Sequence, residues 1–250
     1  ARPLRLALLN EVRKLATFDA FAWLLTDPVT EVGTAPIADV PGLDDLPRLI
    51  RLKYSTAVNR WTHQAGPVSR LQDATRGRPE KSRLWREHLA GVGVTDVASI
   101  VFRDRAGCWS FLDLWRIGGV FSDAEAAALA RNVPTITEAL RRCVARSLER
   151  PSSDRTVRWS GPLVLLLSSG LEVRAQTPET ERLLAVLVPR DDDRPPVPAG
   201  AYNVGAQLLA VENGIDDHPP VARVHIGDGD WVTLRAARID DGIAITIEAC

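Results

Sequence analysis

The sequence has no methionine, three cysteines, two tyrosines and four histidines in 250 residues. Cys108, Cys143 and Cys250 are odd in number and far apart. That excludes a disulfide framework and a CxxC zinc or redox pair, and it favours a reducing, cytoplasmic setting. With no Met even at position 1, the chain is expected to be a piece of something longer. Lysine is nearly missing: all but Lys14, Lys53 and Lys81 of the 31 basic residues are arginine, a bias expected of a GC-rich genome. Neither charge sign dominates, since 32 acidic residues leave a net charge of −1. A free-standing nucleic-acid binder carries a basic excess, so these residues alone are not expected to bind DNA. No apolar run approaches the ~20 residues of a membrane span, and the N-terminus lacks a secretory pattern.

Chemical signatures are also missing. There is no P-loop, HExxH, EF-hand loop or GxSxG elbow. Gly91-Val92-Gly93 leads into a strand rather than a helix, so it is no dinucleotide fingerprint. His63, His88, His218 and His225 have no metal-ligand spacing. Asp216-Asp217-His218 reads as a solvated loop before Pro219-Pro220, and Asp191-Asp192-Asp193 as a charged surface turn. No catalysis, metal or cofactor is expected.

What is present is an ordinary globular composition, 45% apolar and 25% charged. The pattern is α+β, with two domains, each an antiparallel sheet with flanking helices. Residues 1–150 form the first, 151–160 a linker and 161–250 the second. In the first, Leu4, Leu8, Leu9, Val12 and Leu15 make one helical stripe. Strands follow near 18–25 and 32–37, then a helix over 45–61. Residues 66–81 are polar and loop-like, and 81–90 form a short helix. Residues 94–104 and 108–117 make a hairpin around Arg105-Ala106-Gly107. Ser122 and Glu125 form a capping box, with Phe121 as staple, for a long helix reaching about Leu148 and containing Pro134. In the second domain, strands at 163–167 and 171–175 precede a helix opened by Thr177-Pro178. A Pro/Asp loop at 189–199 leads to a helix over 201–212. Strands at 222–226, 231–239 and 243–247 close the chain, the first two joined by Gly227-Asp228-Gly229-Asp230.

The aromatics suggest a site. Trp109, Phe111 and Trp115 fall on one strand face by period two, with Asp113 in the same row. Trp23 belongs to the neighbouring strand, and Trp61 and Trp85 to covering helices. One reading is a ligand cavity walled by these rings, with Tyr54, Asn59 and Asp113 as polar anchors. The other is a packed core.

Residues 18–148 resemble a GAF domain, in the variant found upstream of the helix-turn-helix of LuxR-type regulators. The carriers are FDAFAWLLTDPVTEVGTAP, LPRLIRLKYSTAVNRWT, VASIVFRDRAGCWSFLDLWR and FSDAEAAALARNVPTITEALRR. Residues 161–248 are similar to a PAS-like domain, opening with GPLVLLLSSGLEVRAQTPETERLL. Gln176-Thr177-Pro178 stands where that family usually has an Asn. The resemblance implies a cytoplasmic signal-input region that senses an unknown small molecule. DNA would be reached only through a C-terminal helix-turn-helix not present in these residues. The stripes of the first and the long helix are candidate faces for a homodimer. The alternatives are a docking module without ligand, or an enzyme on a GAF-like scaffold in the manner of a methionine sulfoxide reductase.

Overall fold

The computed structural model describes residues 1–149, 161–187, 199–227 and 230–249. The expected linker, the Asp191-Asp192-Asp193 turn, Cys250 and the centre of the 227–230 turn lie outside the described residues. The fold is α+β, built on two antiparallel five-stranded sheets.

The first sheet has the order β2-β1-β5-β4-β3. Its strands are β1 (Ala20–Thr26), β2 (Gly33–Asp39), β3 (Val68–Arg70), β4 (Val94–Asp104) and β5 (Gly107–Ile117). One face carries α1 (Arg2–Leu15) and α4 (Asp123–Glu149). Leu9 and Val12 of α1, with Leu129, Val133, Ile136 and Leu140 of α4, bury against Phe21, Trp23, Leu112 and Leu114. The helix stripes that could have served a dimer are thus packed on the sheet. α4 starts as its sequence dictates: the Glu125 N–H donates to Ser122 Oγ at 3.2 Å, and the Ser122 N–H to Glu125 Oε2 at 2.8 Å.

The other face carries α2 (Leu46–Tyr54) and α3 (Leu71–Thr75). Two expectations are corrected here. The helix read over 45–61 ends at Tyr54. The Ser55 hydroxyl turns back to the Leu52 carbonyl at 3.2 Å, and Asn59 takes a positive φ of 52°. The stretch 66–81, read as loop, contains β3, α3 and a short turn of helix at Pro79–Lys81. Three residues of β3 are too few to show alternation; their pairing with Ala98–Ile100 of β4 makes them a strand. The short helix at 81–90 is present, with a wide turn at Trp85–Leu89 and Ser82 Oγ accepting from the Trp85 N–H at 3.3 Å.

The second sheet has the order β7-β6-β10-β9-β8. It comprises β6 (Leu163–Ser168), β7 (Val173–Gln176), β8 (Val221–Gly227), β9 (Asp230–Ile239) and β10 (Gly242–Ala249), with α5 (Pro178–Leu187) and α6 (Ala199–Glu212). Both sheets share one strand order: a hairpin, then three further strands, the last inserted between the first and fourth; in the first sheet α3 and two short helical turns also separate β3 from β4. The sequence shows no internal repeat, yet the topology repeats.

The position of α6 sets the architecture. Its sequence, AGAYNVGAQLLAVE, is apolar nearly all round, the pattern of a helix enclosed on every side. One side lies on the second sheet. There Gly205 permits close approach, since a Cβ would come 3.1 Å from Leu171 Cδ2. The other side packs on α2 and β2 of the first half. Asn203 and Gln207, four residues apart and therefore on one stripe, are its buried polar residues.

Candidate functional site

A cavity of about 70 Å³ lies where α6 meets the first sheet. Its floor is Ala22 and Leu24 of β1, with Phe111, Asp113 and Trp115 of β5. Pro36 and Ala38 of β2 form one wall; Leu46, Leu49, Ile50, Lys53 and Tyr54 of α2 form another. Asn203 of α6 completes the lining from the second half of the chain. The strand pairing explains the floor. Ala22 stands opposite Asp113 and Leu24 opposite Phe111, so these four side chains share a face.

Four of the nine residues read from the sequence meet at this cavity: Tyr54, Phe111, Asp113 and Trp115. Trp23 does not join them. It pairs with Leu112 and so faces α1 and α4, where it stacks on Phe102 at 5.6 Å and donates to Ser110 Oγ at 2.7 Å. Trp61 backs the cavity, stacked on Phe111 at 4.2 Å, with its Nε1–H on the Glu31 carbonyl at 2.8 Å. Trp85 donates to the Val94 carbonyl at 2.9 Å and Trp109 to Asp104 Oδ1 at 3.0 Å, both away from the lining. Asn59 is held by Ser69, whose hydroxyl donates to Asn59 Oδ1 at 2.8 Å.

The polar groups of the lining divide into satisfied and unsatisfied. Lys53 Nζ lies 2.6 Å from Asp113 Oδ2, with side chains 13% and 7% exposed. Lys53 also donates to the Asn59 carbonyl at 3.2 Å, and Asp113 Oδ1 accepts from Ser99 Oγ at 2.7 Å. Tyr54 Oη accepts the Gly33 N–H at 2.9 Å, and burial pushes its phenol pKa up, so it stays protonated. By contrast, Asn203 is 0% exposed and neither Oδ1 nor Nδ2 has a partner. Trp115 Nε1 is likewise buried without a partner. Buried polar atoms are almost always hydrogen-bonded, and an unmet one costs about 1–3 kcal/mol. These three atoms belong to two residues of the lining and have no exposed surface of their own; the accessible surface of the cavity is almost wholly apolar.

Beside the cavity, one buried cation joins the two halves. Arg60 Nε donates to Asp216 Oδ2 at 2.6 Å and Nη2 to Gln207 Oε1 at 2.9 Å, while Nη1 donates to the Tyr54 carbonyl at the end of α2. Both Arg60 and Asp216 side chains are 0% exposed. The guanidinium also lies 4.9 Å from the Trp61 ring centre. This corrects the reading of Asp216 as part of a solvated loop; Asp217 alone of that trio is fully in solvent. Burial opposes ionisation of Asp216. The His218 N–H and ring, the Arg60 charge and the Thr62 hydroxyl outweigh it and hold the carboxyl well below the usual range. A second tie is Arg223, whose Nε and Nη2 grip Asp27 at 2.7 and 2.9 Å.

Cys108 is fully buried and burial pushes its thiol up to about 11. Among the described residues, Asp216, Asp217 and His218 alone cluster at metal-ligand distance, and Asp216 is already committed to Arg60 and Thr62.

No family model matches the chain. No curated protein matches it either. Similar solved structures include the E. coli DhaR(N)–DhaL complex, at 13% identity and TM-score 0.33, covering 99% of this chain and 85% of that one. A bacteriophytochrome, RpBphP3 from R. palustris, is similar at 15% identity and TM-score 0.31, covering 95% and 56%. The sensor region of a sensor histidine kinase aligns at 14% identity and TM-score 0.21, covering 95% and 86%. These scores are low, and the fold class rests on the chain's own two sheets. Among the described residues no helix is long and apolar enough to cross a membrane.

Proposed function

We propose that this chain is the signal-input region of a cytoplasmic bacterial regulator of the LuxR type, a GAF-like unit followed by a PAS-like one. A small molecule occupies the cavity on the first sheet, and α6 carries its presence into the second half. No reaction is assigned to it. The observation that supports this reading is Asn203: a buried amide from the second half, without partners, lines a cavity of the first half. A ligand bonded there touches both halves at once. It then favours whichever packing of α6 completes those bonds, which is the differential affinity a sensor requires.

Native mass spectrometry of the purified chain, repeated after mild denaturation, tests this. An excess mass lost on denaturation is the expected result. A chain with no excess mass, and no thermal shift from any member of a small-molecule library, contradicts sensing and leaves a docking module.

A further inference from the structure

The chemistry of the cavity defines what it can hold, given the sensing role proposed above. We propose that its ligand is a compact, uncharged molecule bearing a carboxamide or lactam edge, bound through Asn203.

Charge is decided by Lys53 and Asp113. They neutralise each other at 2.6 Å, and both have further partners in Asn59 and Ser99. An ionic ligand would enter with no free counter-charge, and burying an uncompensated ion is far costlier than burying a neutral polar group. The functional group is decided by Asn203. Its free Oδ1 accepts and its free Nδ2 donates, side by side in one plane. A carboxamide or lactam presents the complementary donor and acceptor on adjacent atoms and satisfies both. A ketone or ether satisfies only the donor. Size is decided by the volume: about 70 Å³ is roughly two water volumes and half of a cavity that takes benzene. About three non-hydrogen atoms fit by that comparison; a molecule on the order of propionamide enters as the Asn203 amide, which has no exposed surface, turns toward it and the partly open side takes the remainder. The remaining lining, from Leu24, Leu46, Leu49 and Ile50, is apolar and suits a short hydrocarbon body.

The test uses three near-isosteric probes on the full chain: propionamide, butanone and propionate, read by saturation-transfer NMR and tryptophan fluorescence. Propionamide is expected to bind at least about tenfold more tightly than butanone, the difference of one or two hydrogen bonds, and propionate not at all. Asn203→Leu, close in volume, is expected to lose the preference for propionamide over butanone. The same variant should melt about 2–6 °C higher without ligand, because it removes two unmet polar atoms. Equal binding of propionamide and butanone, or binding of propionate, overturns the ligand class while leaving a sensing cavity in place. Retention of the amide preference in Asn203→Leu overturns the role of Asn203. If no probe binds and native mass spectrometry shows no excess mass, the sensing reading itself fails and the cavity holds ordered water only. If no probe binds but an excess mass is present, the ligand class alone fails. The probe series on the unmodified chain needs no variant to fold.

Discussion

Replacing Arg60 by methionine removes the guanidinium that compensates Asp216, while keeping most of the apolar stem that lies against Trp61. Both side chains are fully buried, so Asp216 is left ionised in a site shut off from bulk solvent. Breaking a buried pair from one side costs about 3–5 kcal/mol. For a chain of this size that corresponds to a drop of roughly 10 °C in melting temperature. The pH dependence identifies the cause. In the parent, Asp216 has a depressed pKa. Its contribution to stability is therefore complete above the ordinary carboxylate range and fades as pH falls through that range towards the folded value. In Arg60→Met the carboxyl is instead pushed up, and protonation relieves the cost. Urea unfolding followed by tryptophan fluorescence should show the full deficit at pH 7 and a much smaller one at pH 4. Adding Asp216→Leu should restore most of the loss at pH 7, because an apolar pair needs no compensation. A single variant within about 0.5 kcal/mol of the parent, the size of an ordinary surface change, would refute the reasoning. So would a deficit of equal size at both pH values.

Three other perturbations have defined outcomes. Trp23→Ala should cost about 3–5 kcal/mol, because it empties the sheet face under α1 and α4, yet leave propionamide affinity unchanged; calorimetry measures both. Glu125, held to about 2 by the Arg116 guanidinium and by Ser122, contributes stability that is complete above pH 4.5 and fades towards pH 2. Glu125→Gln should flatten that part of the acid-unfolding curve. Cys108 should resist a thiol reagent at pH 8 in the native protein and react only in denaturant, as peptide mapping would show, because burial pushes its thiol up to about 11.

Much of the first sheet was legible because its signals are local. The alternation around Phe111, Asp113 and Trp115, the turn at Arg105-Ala106 and the Ser122–Glu125 box each need only a few neighbouring residues. Trp23 shows the limit of that kind of reading. Alternation divides β1 into two faces but does not say which one meets Phe111; the pairing of Ala22 with Asp113 decides it. Arg60 and Asp216 are 156 residues apart, and Asp216 sits among Asp217, Pro219 and Pro220, so its surroundings suggested solvent. Asn203 is equally remote from the sheet whose cavity it lines. A signal was present in α6, an almost uniformly apolar helix with Asn203 and Gln207 one turn apart. Such a helix has to be enclosed on both sides, and its two amides have to meet something.

The most direct measurement is a crystal structure of the purified chain, read at Asn203. The account predicts density for a bound molecule other than water, accepting from Asn203 Nδ2 and donating to Oδ1, with α6 seated between the two halves. A collapsed cavity in which the Asn203 amide bonds to protein groups, or holds only water, would contradict it.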